Sequence, residues 1–186
     1  MLELFNGRPE DFDSRIEVEK EVYNLLDSLS VEYQRLDHEP AHTMEICQQI
    51  DKSLGALICK NLFLTNRQQT DFYLLMMPAK KVFKTKFLSK ALGVSRLSFA
   101  DGETMEKFMG TAPGSASVLG LMNDKEGRVR LVIDEEVLKE DYFGCHPCVN
   151  TSSLKLRTKD LTEKILPQIK HSFTVLTLPE EDSENN

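Results

Sequence analysis

Three short segments carry residue types that together could bind and hydrolyse a small substrate. Residues 110–117 contain two glycines, a proline and otherwise only small side chains. Such a bend leaves backbone N–H groups open to hold an oxyanion or a polarised carbonyl, although an ordinary tight turn has the same composition. Residues 59–61 (Cys-Lys-Asn) and 145–147 (Cys-His-Pro) add an ammonium, an amide and an imidazole group. We predict that the three segments meet around one site.

Lys60 lies in a strand-like stretch, residues 58–64, whose side chains alternate between two faces. On one face Lys60 is flanked by Ile58, Leu62 and Leu64. An ammonium group is costly to bury without a partner. Either this face opens onto solvent at its end, or the ammonium works in a pocket; we favour the pocket.

The composition predicts one globular domain over residues 1–178, followed by an acidic, disordered tail at residues 179–186. The chain has 186 residues, of which 40% are hydrophobic, enough for a full core. It has no apolar run of 18 residues, so no membrane span is expected. The start is neither basic nor long enough for a signal peptide, and the four cysteines are widely spaced. We therefore expect a cytoplasmic protein with reduced thiols.

Cys145 and Cys148 have the CxxC spacing of some metal and redox sites. A zinc site would need two further ligands at a matching spacing, and the sequence has no second such pair. A redox motif would open a helix, which residues 149–153 do not favour. We predict small buried residues at these positions and no metal.

The charge is distributed unevenly along the chain. The net charge is −7, which argues against general nucleic-acid binding. Residues 80–96, however, contain six basic residues and no acidic one. This stretch is either the solvated face of a helix or a surface that contacts a phosphate backbone.

The hydrophobic pattern predicts helices and hairpins in irregular alternation. A helix follows Asp13 or Ser14, because the apolar residues between Val18 and Leu29 form one stripe. Turn signals predict hairpins over residues 58–77 and 118–133. Further helices are expected near residues 43–50, 85–92, 102–110 and 158–169, and further strands near residues 31–36, 97–100, 154–156 and 173–178.

This pattern predicts an α+β fold with a mixed sheet, because strands and helices do not alternate strictly. The sequence contains neither a phosphate-binding Walker loop nor a dinucleotide-binding fingerprint. A hydrolase that pairs Ser115 with His146 lacks an evident third member and the glycines of a nucleophile elbow.

Four motifs, in this order, resemble those of the trans-editing deacylases of the YbaK/ProX superfamily, the free-standing relatives of the prolyl-tRNA synthetase editing domain. They are residues 37–45 (DHEPAHTME), 59–64 (CKNLFL), 110–117 (GTAPGSAS) with 123–124 (ND), and 146–151 (HPCVNT). The resemblance extends from about residue 31 to residue 166, and four ordered motifs are more specific than any one of them.

The resemblance implies a mixed β-sheet curled into a barrel-like core with flanking helices, in agreement with the α+β prediction. It implies hydrolysis of aminoacyl-tRNA. The most similar branch removes alanine from mischarged tRNA(Pro), and other members remove cysteine. Aminoacylated tRNA(Pro) is then the partner, association with prolyl-tRNA synthetase is a further expectation, and neither a metal nor a cofactor is implied.

The resemblance also assigns the catalytic roles. Lys60 would hold the terminal phosphate or ribose by its charge, and Asn61 would orient the substrate or a water molecule. The backbone N–H groups of Gly114, Ser115 and Ala116 would hold the ester carbonyl. Because an aminoacyl ester is already activated, positioning a water and stabilising the oxyanion would be sufficient.

His146 would shape the aminoacyl pocket or bind the ribose, and Asn150 would support its loop. His38 and Thr43, from the first motif, are expected to bind substrate. A pocket sized for alanine would exclude proline by its shape, as in the second sieve of editing. From the charge, we expect the acceptor stem of the tRNA to contact Lys80, Lys81, Lys84, Lys86, Lys90 and Arg96.

Two other functions remain open. A binding module with the same residues would sense aminoacyl-tRNA or a small molecule and regulate proline metabolism without catalysis. A serine hydrolase would lose all activity when Ser115 is replaced by alanine, whereas an editing enzyme would lose only part of it.

Overall fold

The computed structural model describes residues 2–41 and 44–179. Thr43 and residues 180–186, most of the expected acidic tail, lie outside the described residues. The α-helices are α1 (Glu17–Ser28), α2 (Met44–Leu54), α3 (Thr85–Leu92), α4 (Gly102–Met109), α5 (Glu135–Lys139), α6 (Thr158–Asp160) and α7 (Leu166–Gln168), with a π-helical turn at Leu161–Ile165 and 3-10 helices at Phe12–Ser14 and Val118–Asn123.

The strands are β1 (Phe5–Asn6), β2 (Tyr33–Asp37), β3 (Leu57–Asn66), β4 (Phe72–Pro78), β5 (Leu97–Phe99), β6 (Val129–Asp134), β7 (Tyr142–Cys145), β8 (Ser152–Arg157) and β9 (Phe173–Leu176). They form one sheet in the order β1-β2-β8-β7-β3-β4-β6-β9, with β5 paired to β3. The pairs β3–β7, β4–β6 and β6–β9 are parallel and the others are antiparallel. The predicted α+β fold with a mixed sheet and flanking helices is therefore confirmed.

Apolar side chains cover both faces of the sheet. α1 packs on one face through Val22 and Leu26, which are fully buried, as the predicted stripe requires. On the other face, Leu64 and Leu88 belong to a cluster beneath α3, and a smaller cluster around Leu36 lies beneath α2. Each strand of the sheet's centre therefore has apolar neighbours on both sides, which fixes its register.

The hairpin predicted over residues 58–77 is confirmed, because β3 and β4 pair in antiparallel register. The second predicted hairpin is wrong. Val118–Asn123 forms a 3-10 helix, and β6 instead pairs in parallel with β4 and β9. The Ser117 hydroxyl accepts a hydrogen bond from the Leu119 N–H at 3.2 Å and so begins the helix. A short, continuously apolar run has no periodicity that separates a strand from a helix.

Candidate active site

β3 and β7 pair in parallel register, with Ile58 opposite Gly144. Lys60 follows Ile58 by two residues and therefore shares its face of β3. His146 follows Gly144 by two residues and lies just past the end of β7. Gly144 makes the close approach of the two strands possible, since a Cβ at that position would lie 2.5 Å from the Ile58 Cδ1 atom.

The Lys60 side chain lies between two apolar groups on its face of β3. Ile58 packs in the cluster beneath α2 and Leu62 in the cluster beneath α3, as the alternation predicted. The ammonium donates a hydrogen bond to the backbone carbonyl of Lys81. Burial lowers the pKa of Lys60 below its ordinary value. The group is thus partly desolvated, which strengthens its interaction with an anionic substrate.

His146 is held in one tautomer by the neighbouring strand. Its Nδ1 atom lies 3.0 Å from the carbonyl oxygen of Ser152, and because a carbonyl only accepts, Nδ1 carries the proton. Burial lowers the pKa of His146, and the nearby imidazole of His38 lowers it further. The ring is therefore neutral at neutral pH, with Nε2 available to accept a hydrogen bond.

His38 lies next to His146, with 6.3 Å between the ring centroids. Its Nδ1 atom is 2.8 Å from the carbonyl of Glu39, and its Nε2 atom is 2.9 Å from the hydroxyl of Ser153. The β2–β8 register pairs Leu36 with Ser153, which explains this contact. His38 and His146 are thus neighbours, each just past the end of its strand, β2 and β7.

Asn150 connects the segments that carry the two histidines. Its side-chain and backbone carbonyl oxygens both lie 3.3 Å from the N–H of Ala41. The N–H of His38 donates to the carbonyl of Thr151 at 3.0 Å. These bonds hold the loop after β2 against the loop after β7, the supporting position expected for Asn150.

Asp37, from the same motif as His38, has a structural role. It forms ion pairs with Arg15, at 2.9 Å, and with Arg35. Although burial acts to raise the pKa of Asp37, the hydrogen bonds from these two guanidinium groups hold it below its ordinary value. The ion pairs fix the end of β2 and thereby the position at which His38 leaves the strand.

The small-residue loop begins where α4 ends. Gly110 caps the helix with φ of +64°, and a Cβ there would lie 2.7 Å from the Asn123 amide nitrogen. That amide donates to the carbonyl of Met109 at 3.0 Å. Asp124 accepts hydrogen bonds from the N–H groups of Arg128 and Val129. The Asn-Asp motif thus supports the loop rather than lining it.

Gly114 is exposed and has φ of +88°, and a Cβ at this position would meet no atom within 4 Å in the described part of the chain. Its backbone therefore borders open space into which a substrate could fit. The N–H of Ser115, however, donates to the carbonyl of Ala112 at 3.0 Å. Because that N–H is already engaged, we remove Ser115 from the expected oxyanion contacts and retain Gly114 and Ala116.

The end of the small-residue loop reaches β7, where Ser117 forms a side-chain hydrogen bond with Cys145. Cys59 of β3 is buried in the same apolar cluster, on the face opposite Lys60. That the three segments meet around one site stays a prediction. Asn61 follows Cys59 and Lys60, so it points to the face opposite Lys60. Its Oδ1 atom is buried without a hydrogen-bond partner among the described residues. The side chains of Lys60 and Asn61 therefore lie on opposite faces of β3.

The thiols of the CxxC sequence lie in the core. Cys145 and Cys148 are 4% and 2% exposed. Burial raises the pKa of Cys145 to about 12 and also raises that of Cys148 above its ordinary value, which makes both poor nucleophiles. Across residues 2–41 and 44–179, no group of three or more His, Cys, Asp or Glu side chains is placed to hold a metal ion.

Most of the basic stretch lies on the surface around α3. Lys80, Lys86 and Lys90 are exposed, and a depression of about 590 Å³ is lined by Lys84, Thr85, Lys86, Ser89 and Arg96. The prediction is wrong for Lys81, which is only 4% exposed and pairs with Asp134 and Glu136 at 2.9 and 2.8 Å. A buried lysine neutralised by two carboxylates cannot contact a phosphate backbone.

Two features of the site could not be found by sequence reasoning. Ser153 binds His38 only because of the β2–β8 register, and the Lys81 carbonyl reaches Lys60 only because the turn after β4 folds over β3.

A larger depression of about 690 Å³ lies elsewhere, beside Tyr33 and Arg157, and contains none of the candidate residues. Among the described residues, no helix is both long and apolar enough to cross a membrane.

The chain is similar to several known proteins. The chain is 28% identical over 163 residues to the prolyl-tRNA editing protein ProX of Acetoanaerobium sticklandii, covering 88% of this chain and 99% of that protein. It is 24% identical over 164 residues to prolyl-tRNA synthetase associated domain-containing protein 1 of Danio rerio, covering 87% and 88%.

A solved structure of a candidate trans-editing enzyme for prolyl-tRNA synthetase has the same fold, with a TM-score of 0.66 at 15% identity, covering 90% of this chain and 99% of that one. Residues 38–164 match the aminoacyl-tRNA editing domain, and this range contains His38, Lys60, Gly114 and His146. The expected class of enzyme, an aminoacyl-tRNA deacylase, is thereby confirmed. With these four residues placed on a matching fold, the chain belongs to the aminoacyl-tRNA editing domain family.

Proposed function

We propose that the protein hydrolyses the ester bond of mischarged tRNA(Pro) and that alanine is the amino acid it removes. The similarity to a prolyl-tRNA editing protein supports the choice of tRNA. The observation that carries the chemistry is the buried, neutral His146 at the end of β7, the strand that pairs with β3, which carries the partly desolvated Lys60.

In this proposal, Lys60 binds the terminal phosphate or ribose of the tRNA through its ammonium group. The unprotonated Nε2 atom of His146 accepts a hydrogen bond from a ribose hydroxyl or from the attacking water. Both contacts orient the ester rather than forming a covalent bond with it, which converts the attack of water into an intramolecular step.

Water attacks the carbonyl carbon, and the N–H groups of Gly114 and Ala116 stabilise the oxyanion that forms. The bond from the carbonyl carbon to the ribose oxygen then breaks, and that oxygen takes up the proton that the water releases. The products are free alanine and uncharged tRNA. A side chain larger than a methyl group is excluded from the pocket by its shape, as in double-sieve editing.

The basic surface around α3 would bind the acceptor stem through Lys80, Lys84, Lys86, Lys90 and Arg96. Val82 and Phe99 are 53% and 60% exposed beside these cations, and the Phe83 and Phe99 rings are 6.0 Å apart. Exposed aromatic rings among cations suit unpaired bases as well as phosphates. The acidic charge of the chain as a whole is thus compatible with a local tRNA contact.

We further propose that the protein acts in the cytoplasm and associates with prolyl-tRNA synthetase. The name of the Danio rerio relative supports the association. Co-sedimentation of the protein with the synthetase, in the presence and absence of tRNA(Pro), tests it, and independent sedimentation in both cases would contradict it.

Deacylation of four substrates tests the proposed reaction: Ala-tRNA(Pro), Pro-tRNA(Pro), Cys-tRNA(Pro) and Ala-tRNA(Ala). We expect rapid loss of alanine from tRNA(Pro) alone. Lys60→Met should lower the rate by roughly 10²-fold, as expected when a positioned charge is lost. Lys139→Met is the matched control, because Lys139 is an exposed lysine of α5 outside the site. A preference for Cys-tRNA(Pro) would show that cysteine, and not alanine, is the amino acid removed. The absence of hydrolysis with all four substrates would contradict the proposal.

A further inference from the structure

The ammonium group of Lys60 is bound by a turn whose own lysine is buried. Lys60 donates to the backbone carbonyl of Lys81, in the turn that follows β4. The Lys81 side chain is buried, and its Nζ atom lies 2.9 Å from the Asp134 Oδ2 atom and 2.8 Å from the Glu136 Oε1 atom. The carbonyl of Lys81 and its side chain thus contact different parts of the molecule.

Two backbone hydrogen bonds shape the turn that follows β4. The N–H of Ala79 donates to the carbonyl of Ile58 at 2.8 Å, and the N–H of Lys81 donates to that of Pro78 at 3.1 Å. The residues on either side of Lys81, Lys80 and Val82, are exposed. Lys81 is therefore the point at which the turn is fixed to β6 and α5.

The two lysines differ in their hydrogen-bond acceptors. Lys60 donates to a carbonyl, whereas Lys81 pairs with two carboxylates, Asp134, which is fully buried, and Glu136, which is partly so. A carbonyl occupies one of the three N–H donors of an ammonium group and leaves its charge uncompensated, whereas a carboxylate would neutralise it. The low pKa of Lys60, caused by burial, fits an ammonium without a carboxylate partner.

We infer that Lys81 is a positioning residue for Lys60: its ion pairs with Asp134 and Glu136 fix the carbonyl that orients the catalytic ammonium. This inference rests on the proposed function, in which Lys60 binds the end of the tRNA. Lys81 itself does not touch the substrate.

A double-mutant cycle separates positioning from simple stabilisation. The four proteins are the wild type, Lys60→Met, Lys81→Met and the double variant, with kcat and KM measured on Ala-tRNA(Pro). We expect Lys81→Met to lower kcat about tenfold or more, as small displacements of a positioning group do. In the Lys60→Met background the same change should have almost no further effect, because the group it positions is absent.

Lys139→Met serves as the control, since it also removes a lysine that pairs with a carboxylate of α5, Glu135, at 3.3 Å. We expect its kcat to equal that of the wild type. Lys81→Arg, which retains the charge, should recover a large part of the lost kcat. If the effects of Lys60→Met and Lys81→Met multiply independently, Lys81 contributes only to stability and the inference is overturned.

Lys81→Met removes the cation that pairs with the buried Asp134 carboxylate and so endangers folding. Glu136→Gln is the milder variant, because Asp134 still pairs with Lys81. Its smaller loss of kcat should likewise disappear in the Lys60→Met background, and a loss that persists there overturns the inference.

The side-chain NMR signal of Lys60 gives a readout that does not depend on activity. In the folded variants, the ¹³Cε resonance of Lys60 should move when Lys81 or Glu136 is replaced and stay in place in Lys139→Met. If no protein hydrolyses any aminoacyl-tRNA, the proposed function fails, and this shift alone decides whether Lys81 positions Lys60. An unchanged Lys60 signal in the Lys81 and Glu136 variants would overturn the inference.

Discussion

The imidazole rings of His38 and His146 lie 6.3 Å apart, each bonded to one of two consecutive residues of β8. His146 is bonded to the carbonyl of Ser152, and His38 to the hydroxyl of Ser153. Burial and the neighbouring His38 both disfavour a charge on His146 and so lower its pKa. This arrangement connects the protonation of the site to the stability of the protein.

Stability should fall as the pH drops below 6.5, in part because of His146. Its pKa is lower in the folded than in the unfolded protein, so the unfolded chain binds this proton first. The contribution of His146 to the free energy of unfolding is complete above its pKa in the unfolded chain. This contribution is lost as the pH falls through its pKa in the folded protein, by at most about 1.4 kcal/mol per pH unit. His146→Gln should make the free energy of unfolding depend less steeply on pH in this range. Urea unfolding at several pH values measures it, and equal slopes for both proteins would refute the prediction.

Gly114→Ala should abolish most of the activity at a modest loss of stability. The added methyl group meets no described atom, but it enters the space expected for the ester and strains a backbone with φ of +88°. We expect a loss of about 1 kcal/mol in the free energy of unfolding and of roughly 10²-fold in kcat/KM. Gly127→Ala is a matched control, because Gly127 also has positive φ and open space around it. Similar deacylation rates in the two variants would exclude Gly114 from the site.

Ser115→Ala should retain most of the deacylase activity. The residue is 9% exposed and its N–H is bonded to Ala112, so it shapes the loop. We expect a loss of less than about tenfold, whereas loss of a nucleophilic serine costs on the order of 10⁴-fold or more. Initial deacylation rates distinguish the two. A complete loss of activity in a folded variant would favour a serine hydrolase.

Neutralising Lys80, Lys86 and Lys90 together should weaken tRNA binding and reduce its dependence on salt. Each phosphate contact that is lost lowers the slope of log K against log salt by about 0.7–0.9. The affinity for tRNA(Pro), measured between about 50 and 200 mM salt, tests this. Replacing three exposed lysines elsewhere, Lys139, Lys159 and Lys164, provides the control. An equal change of slope in both triple variants would show that α3 has no special role.

Local patterns in the sequence predicted the elements that carry the site. Alternation placed Lys60 on an apolar face of β3, and the apolar stripe of α1 predicted the burial of Val22 and Leu26. It did not predict that Glu19 and Tyr23 of the same helix are buried. The same rules failed at Val118–Asn123, a continuously apolar 3-10 helix. Its conformation depends on the close packing of Gly120 against Met109 and not on any local period.

The sequence by itself determined the α+β class, the four ordered motifs and the family, because each depends on residue types at fixed local spacing. Only the tertiary structure decided which charges are exposed and which residues meet. Lys80 and Lys81 are adjacent in sequence, yet one faces solvent and the other is buried by its pairs with Asp134 and Glu136. Likewise, the strand that carries Lys60 and the strand that precedes His146 are neighbours only because β3 and β7 pair, and strand pairing between distant segments is a property of the whole fold.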